Sequence, residues 1–501
     1  MADAAGLDPR GKGAVITRLL GATPFAVWSV LLIAAVVNLA AHHDDLTRLN
    51  HVSGVWLGLA QQAHEGRLPP PVVDQGYYGG TRYMPAAIGL LTTVGAAIGD
   101  IAAGRALALA GFALALAVVA VVLRRAGLAW SLTAAGLLVV PAASEGWFAA
   151  FAIRFDVIAI ALQLAALALF CDGRFDSRRV VLAGVLAGAA PCFKLTAVWG
   201  LVAVAGWLLV RRMPKSLARL TLGAAASWLV FFASFVLVPG SQVLNNLLET
   251  STGEDALWRV DRSIGKLAAI LAFGSTTTLL VLAGALGVLI WAAVSGRWTI
   301  WHGAWVLAAV QLLIVLPDRG IDGNHLLDLS LLSTLVIGLA VAPAARQWTD
   351  ASRAAIAVTI VAYCSLGLNQ LWRPVVTDAA SQISGRAPTV PTDPLQGVVP
   401  REALILSEDP ALPAVRDQRP VLGDPFLFRR LALEYPERAT DLVERLEAHE
   451  FDAVVLLDTR PAAFYRDLHL GEEVYEAVLR EYPVERPLPG YVLRLPLRST
   501  E

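Results

Sequence analysis

PFAVWSVLLIAAVVNLAAHHDDLTRLNH, residues 24–51, decides the fold class. From Pro24 to Ala41 the run is predominantly apolar and close to the roughly 20 residues a helix needs to cross a ~30 Å hydrocarbon layer. It ends abruptly in His42, His43, Asp44 and Asp45. The run is longer than the roughly 7 to 15 residues of a cleaved signal core, and Arg10, Lys12 and Arg18 precede it, so it reads as an uncleaved anchor. Similar runs follow at 104–123, 128–141, 157–170, 180–192, 195–210, 220–238, 276–294, 300–316, 326–341 and 354–371, which makes eleven expected spans, several of them short. The whole chain agrees: 501 residues, 56% hydrophobic, 16% charged and a mean hydropathy of +0.60 exclude an ordinary soluble enzyme. The expected fold class is a polytopic α-helical membrane protein of about 11 helices with a small C-terminal α/β domain.

Charge orients these spans. Up to Trp372 the chain has 25 basic and 19 acidic residues, and after it 15 and 22. The acidic tail excludes nucleic acid as a partner, because phosphate neutralisation needs clustered Lys and Arg. The apolar, Gly-containing segment 85–99 is shorter than a span. If it does not cross, the N-tail and alternate loops, including Arg124, Arg125, Arg174, Arg178, Arg179 and 211–219, hold 15 basic and 5 acidic residues. That excess marks the cytoplasmic side. The expected order is a cytoplasmic N-tail (1–23), a membrane domain (24–372) with a long first external loop (42–103), a linker (373–400) containing ISGRAPTVPTDPLQGVVP, and an extracytoplasmic α/β domain (401–501). Localisation follows as the plasma (inner) membrane. In the tail ALILS, PVLG, AVVLL and YVLRL read as strands, and 439–449 and 472–481 as helices. Cys171, Cys192 and Cys364 lie in or beside apolar runs, so no disulfide framework or thiolate metal site is indicated.

Ionisable groups near lipid are expensive, which makes their positions informative. On the expected external side they comprise HHDDLTRLNH (42–51), Arg82 and Tyr83 in YYGGTRYMP (77–85), Arg154 and Asp156 in AIRFDVIAI, Lys194 at a tight turn, and Arg319, Asn324, His325 and Asp328 in PDRGIDGNHLLDL (317–329). Each has a plain structural reading beside a chemical one. His42 to Asp45 form a solvated helix end, a metal site, or the home of a carboxylate base; adjacent residues on a helix point ~100° apart and rarely share one ion. Arg154 and Asp156 are an interfacial pair or substrate contacts. Lys194 snorkels to headgroups or fixes a lipid phosphate. Asn324, His325 and Asp328 cap a helix or face a ligand. SEDP (407–410) and GDPF (423–426) in the tail read as folding turns. No cofactor is indicated, and a divalent metal is compatible with the acidic groups without being required by their spacing.

Four of these features resemble the GT-C superfamily of membrane glycosyltransferases, which includes protein O-mannosyltransferases and aminoarabinose transferases. They are the acidic residues directly after the first span (Asp44, Asp45), YYGGTRYMP in place of a Tyr-Pro-Pro-like element, R-x-D at Arg154 and Asp156, and the lysine of AGVLAGAAPCFKLT. The chain departs in having two adjacent aspartates after two histidines, and one proline, Pro85, where relatives often have two. The resemblance implies a polyprenyl-phosphate-linked sugar donor and an extracytoplasmic glycan, lipid or protein acceptor, reached from membrane lipid. It also implies that Asp44 or Asp45 is the general base, with the cationic and polar residues above holding donor phosphate and substrate. Other classes open to the same sequence are a lipid or sugar transporter or flippase, and a non-catalytic scaffold of this fold.

Overall fold

A computed structural model describes residues 9–46, 49–238, 240–251, 260–273, 276–318, 323–386, 392–458 and 461–497. The membrane part comprises α1 (Pro9–Ala41), α2 (His51–His64), α3 (Pro85–Ile98), α4 (Asp100–Arg125), α5 (Trp130–Leu137), α6 (Ser144–Phe151), α7 (Asp156–Ala168) and α8 (Ser177–Ala189). It continues through α9 (Trp199–Val210), α10 (Pro214–Val236), α11 (Val243–Ser251), α12 (Val260–Phe273), α13 (Thr276–Val294), α14 (Ile300–Val315), α15 (Leu327–Ala345) and α16 (Asp350–Ile383).

Every expected span overlies a helix, but the helices differ in reach. Among the described residues six are long and apolar enough to cross a membrane, within α1, α4, α10, α13, α15 with the turn before it, and α16. The pair α6 and α7, bent by 109°, makes a seventh if it counts as one span. The 13-residue α7 and α8 are each only about 20 Å long at ~1.5 Å per residue. The cause is local: polar or small residues interrupt the apolar runs and start or stop helices. Asp176 caps α8 by accepting from Arg179 N–H at 3.0 Å, and Thr349 caps α16 by accepting from Ser352 N–H at 3.1 Å. The last helix also runs on to Ile383, into the stretch expected as linker.

Close packing between helices uses small residues, as lipid-facing bundles do when van der Waals contact replaces a hydrophobic driving force. Helices α8 and α10 approach so closely that a Cβ on Gly188 would lie 2.5 Å from Ala224 Cα. Apolar side chains such as Leu209, Leu222, Leu229 and Ile290 remain exposed on the outer faces, as a bundle facing lipid requires.

The tail forms a four-stranded sheet. The loop between α2 and α3 contributes a separate hairpin, β1 (Val73–Asp74) with β2 (Tyr77–Tyr78). The tail strands are β3 (Ile405–Ser407), β4 (Ala453–Leu457), β5 (Val484–Leu488) and β6 (Tyr491–Leu495), in the order β3-β4-β6-β5 with only the β3–β4 pair parallel. Helices α17 (Ala411–Val415), α18 (Pro425–Glu434), α19 (Glu437–Glu447), α20 (Ala462–Phe464) and α21 (Glu472–Glu481) complete it. PVLG is not a strand of this sheet: Leu422 bridges Tyr78 of β2 instead. The Pro-containing VERPL (484–488), which sequence reading passed over, pairs as the edge strand β5, where a missing N–H is tolerated.

The tail is seated on the stretch between α1 and α4. Leu46, Trp56, Leu59 and Ile88 share one buried apolar cluster with Leu395, Ile405, Leu412 and Leu493. Asp74 pairs with Arg419 at 2.8 Å, and Tyr78 donates to Asp441. Gly54 of α2 lies so close to the tail that a Cβ there would fall 1.8 Å from Asp409 Oδ1. Asp409 is itself buried, accepting from Ala411 N–H at 3.0 Å and from the Tyr491 hydroxyl at 2.8 Å.

Burial pushes the Asp409 carboxyl up from 3.8 to about 6. Between about pH 4 and 6 the native tail therefore keeps a proton that the unfolded chain has already released. This contribution to stability is complete below about pH 4 and is lost as pH rises through 6. Asp409→Asn can keep both partners without the charge. Its melting midpoint should match the parent at pH 4 and exceed it at pH 8, with an upper bound of about 3 kcal/mol from two pKa units. A gap between the two proteins that does not change with pH would refute this.

Candidate active site

The residues singled out beside the apolar runs come from four separate stretches, each delivered by a helix end. Arg154 lies in the break between α6 and α7, and Asp156 opens α7. Lys194 follows the short 3-10 turn Ala190–Cys192 that ends α8. Asn324 and His325 lie in the 3-10 turn Gly323–Leu326, and Asp328 in the first turn of α15. Arg82 and Tyr83 sit just before the N-cap of α3, whose first residue is Pro85.

These elements converge. Lys194 Nζ stands 3.8 Å from Asp156 Oδ1 and 4.0 Å from Asp328 Oδ2, bridging α7 and α15. Arg154 Nη1 is 3.6 Å from Asp156 Oδ2, and Asn324 Nδ2 donates to the same oxygen at 3.4 Å. Trp199 Nε1 donates to Asp328 Oδ1 at 2.8 Å, which aims the other carboxylate oxygen at the lysine. His325 lies within electrostatic reach of Lys194, Asp156, Arg154 and Arg82. The Lys194 side chain is only 9% exposed, whereas that of Asp156 is 25% exposed, so the cluster is enclosed on the lysine side and open on the other. A water-poor setting of this kind strengthens every polar contact within it.

The stretch between α1 and α4 frames the cluster. Ile153 N–H donates to Ser53 Oγ of α2 at 3.0 Å, fixing the backbone immediately before Arg154. Asn50 caps α2 by accepting from Ser53 N–H at 2.8 Å. Trp56 packs against Tyr83 at 4.4 Å and Phe155 at 4.7 Å, joining YYGGTRYMP to the R-x-D segment. The Tyr83 phenol is pushed up to about 12, first by burial and then by the Asp424 carboxylate of the tail, so it stays a donor at neutral pH. Arg82 lies 3.7 Å from Asp318 and stacks over Phe426 at 4.7 Å, while Arg430 approaches the same Asp318 at 3.9 Å. GDPF is thus a turn in which Asp424 caps α18, accepting from Leu427 N–H at 3.1 Å, and also one that presents Phe426 to the site.

Asp44 and Asp45 diverge. The Asp44 side chain is 52% exposed and accepts from Thr392 Oγ1 at 2.7 Å. Asp45 is 3% exposed and paired at 3.3 Å with Nδ1 of a buried His42, whose Nε2 reaches Asp378 of α16 at 2.7 Å. The Arg105 guanidinium donates to the His42 carbonyl. His42 therefore ties the end of α1 to α4 and α16. Arg319 lies outside the described residues. Among the described residues no three His, Cys, Asp or Glu side chains are grouped to hold a metal ion.

Sequence reading missed Trp56, Trp199, Asp318, Phe426 and Arg430. The tryptophans resemble ordinary span residues, and the others lie far along the chain from the groups they touch. Only the polar partner of each indole, revealed in three dimensions, separates Trp199 from the remaining tryptophans.

No family model and no curated protein matches the sequence. Solved structures do. ArnT from Cupriavidus metallidurans in the apo state is 14% identical, with 94% of this chain and 98% of that one covered at a TM-score of 0.57. The same protein bound to undecaprenyl phosphate gives the same identity and coverage at 0.55. The Archaeoglobus fulgidus oligosaccharyltransferase in the apo form is 13% identical, covering 91% of this chain and 72% of that one at 0.52. Likeness over nearly the whole length establishes that this chain shares the fold of ArnT and of the archaeal oligosaccharyltransferase.

Proposed function

We propose that this protein is an integral membrane glycosyltransferase that moves a sugar from a polyprenyl-phosphate carrier to an extracytoplasmic acceptor. The observation that carries the reading is the convergence of Lys194 and Arg154 with Asp156 and Asp328, from separate helix ends, in a half-enclosed cluster. The ArnT structure with undecaprenyl phosphate adds support, since a protein of the same fold binds such a carrier. A phosphate anion meets Lys194 as a point charge and Arg154 as a forked donor. His325 and Arg82 complete the cationic side, and Tyr83 and Asn324 supply neutral donors.

In the reaction the acceptor hydroxyl oxygen bonds to the anomeric carbon as the bond from that carbon to the phosphate oxygen breaks. The electron pair leaves with polyprenyl phosphate, and the hydroxyl proton passes to a carboxylate. One base suffices, and the reaction inverts the anomeric carbon. Asp44 is the better base of the adjacent pair because its carboxylate is exposed, whereas that of Asp45 is buried against His42. The grouping of the charges at helix ends on one side favours a one-sided reaction over the through-membrane path that a transporter needs.

Binding tests the function. Purified protein in nanodiscs should retain undecaprenyl phosphate and release undecaprenol, which lacks the anion; equal retention of both would overturn the reading. We further propose that the chain crosses the membrane eleven times, with its N-terminus cytoplasmic and its tail outside. In a background lacking Cys171, Cys192 and Cys364, single cysteines at the exposed positions Ser177 and Thr440 should react with an impermeant thiol reagent only from inside and only from outside, respectively. External labelling of both would overturn the assignment.

A further inference from the structure

Glu145 belongs to none of the motifs above, yet it is a carboxylate buried to 1% exposure within the helical bundle. A charge-bearing group costs too much at such depth to persist without a task or a partner. Its partners are hydroxyls. Ser330 of α15 donates to Oε1 at 2.5 Å, and Thr278 of α13 donates at 3.0 Å to Oε1 and 3.2 Å to Oε2. Its neighbour Ser144 donates at 3.4 Å to Oε2. No Lys, Arg or His side chain stands within ion-pair distance of it among the described residues.

The placement of these partners is what matters. Glu145 lies in α6, and eight residues after it the chain turns sharply and presents Arg154 and then Asp156. Ser330 lies two residues beyond Asp328, on the helix whose preceding turn holds Asn324 and His325. Among the described residues the polar side chains of the two halves, one before α7 and one at the start of α15, are joined by the Asn324–Asp156 hydrogen bond and by Lys194. Glu145 grips the second half from beneath, through a helix rigidly continuous with Asp328. A helix rotates about 100° per residue, so a twist of α15 that released Ser330 would also swing Asp328 away from Lys194.

We infer that Glu145 is a positioning residue for the donor-phosphate site: its hydroxyl network sets the rotation and depth of α15 against α6, and so holds Asp328, His325 and Asn324 in register with Lys194, Arg154 and Asp156. This rests on the donor-binding reading of that cluster. A displacement of about 1 Å in such a constellation costs on the order of 100-fold when transmitted fully to the reacting groups, and partial transmission gives less.

The test measures undecaprenyl phosphate binding and ligand-free melting side by side for the parent, Glu145→Gln, Ser330→Ala and the double variant, in nanodiscs. The expected result is an affinity lowered roughly 10-fold in each single variant, no further loss in the double variant, and ligand-free midpoints that remain close together. In turnover, KM for the donor should rise more than kcat falls. Lowered midpoints with parental affinity in the folded fraction would make Glu145 merely structural and overturn the inference, as would additive losses in the double variant. If Glu145→Gln fails to fold, Ser330→Ala alone decides, since it removes one hydroxyl and leaves the carboxylate two other donors. A parent that binds no undecaprenyl phosphate refutes the functional reading itself, whereas a parent that binds and variants that bind equally refute only the role of Glu145.

Discussion

Asparagine in place of Asp44 lowers sugar transfer by about 10² to 10⁴-fold while binding of the polyprenyl-phosphate carrier survives. The range is the usual contribution of a positioned side chain that takes a proton in the transition state, and Asn keeps the size and loses the basicity. The adjacent substitution separates chemistry from folding. Asp45 is buried and paired with His42, which in turn binds Asp378, so Asp45→Asn weakens a charged hydrogen bond at the joint between α1 and α16. It should cost stability on the order of 1 to 3 kcal/mol and leave turnover of the folded protein nearly intact. The measurement is transfer from a polyprenyl-phosphate sugar in reconstituted membranes, with melting followed in parallel. Parental rates in both variants would remove the catalytic role and favour a scaffold, and a severe loss confined to Asp45→Asn would move the base to the neighbouring position.

Lys194→Ala has the second large effect. The ammonium stands between Asp156 and Asp328 with little solvent of its own. Without it two carboxylates face each other across a half-enclosed space, and an arriving phosphate meets their charge before it meets Arg154. Truncating one member of such a pair costs about 2 kcal/mol or more in binding, or roughly 30-fold in affinity for undecaprenyl phosphate. Part of the stability should fall too, because uncompensated buried charge is expensive. His325→Ala should weaken binding less, since it removes a donor but leaves both carboxylates paired. Lys194→Arg keeps the charge and should retain most of the affinity, which distinguishes loss of the cation from loss of the fold. If Lys194→Ala binds the lipid as well as the parent does, the lysine is an anchor for the interface and not a ligand for phosphate.

The cluster around Lys194 was partly legible in advance. Residues that carry charge beside apolar runs stand out in a sequence, and Arg82, Arg154, Asp156, Lys194, His325 and Asp328 were all visible for that reason. The pairing of Lys194 with both Asp156 and Asp328 was not, because it depends on how α7, α8 and α15 pack. Glu145 escaped notice because SEG (144–146) between two apolar runs reads as an ordinary loop. Asp44 and Asp45 were indistinguishable as neighbours, and their difference lies in which of them His42 claims.

By itself the sequence determined what local physics determines: that apolar helices recur along the chain, that they suit lipid, and which residues carry charge at their ends. Apolar runs must satisfy their own backbone hydrogen bonds in hydrocarbon, and caps such as Asp176 and Thr349 act within four residues, so both effects are written along the chain. Only the tertiary structure decided which apolar segments reach spanning length as straight helices, that the tail is seated on the stretch between α1 and α4, and that Phe426 and Arg430 approach Arg82 and Asp318. Those outcomes depend on the crossing of helices and the docking of two surfaces, and contacts of that kind join residues whose separation along the chain says nothing about their distance in space.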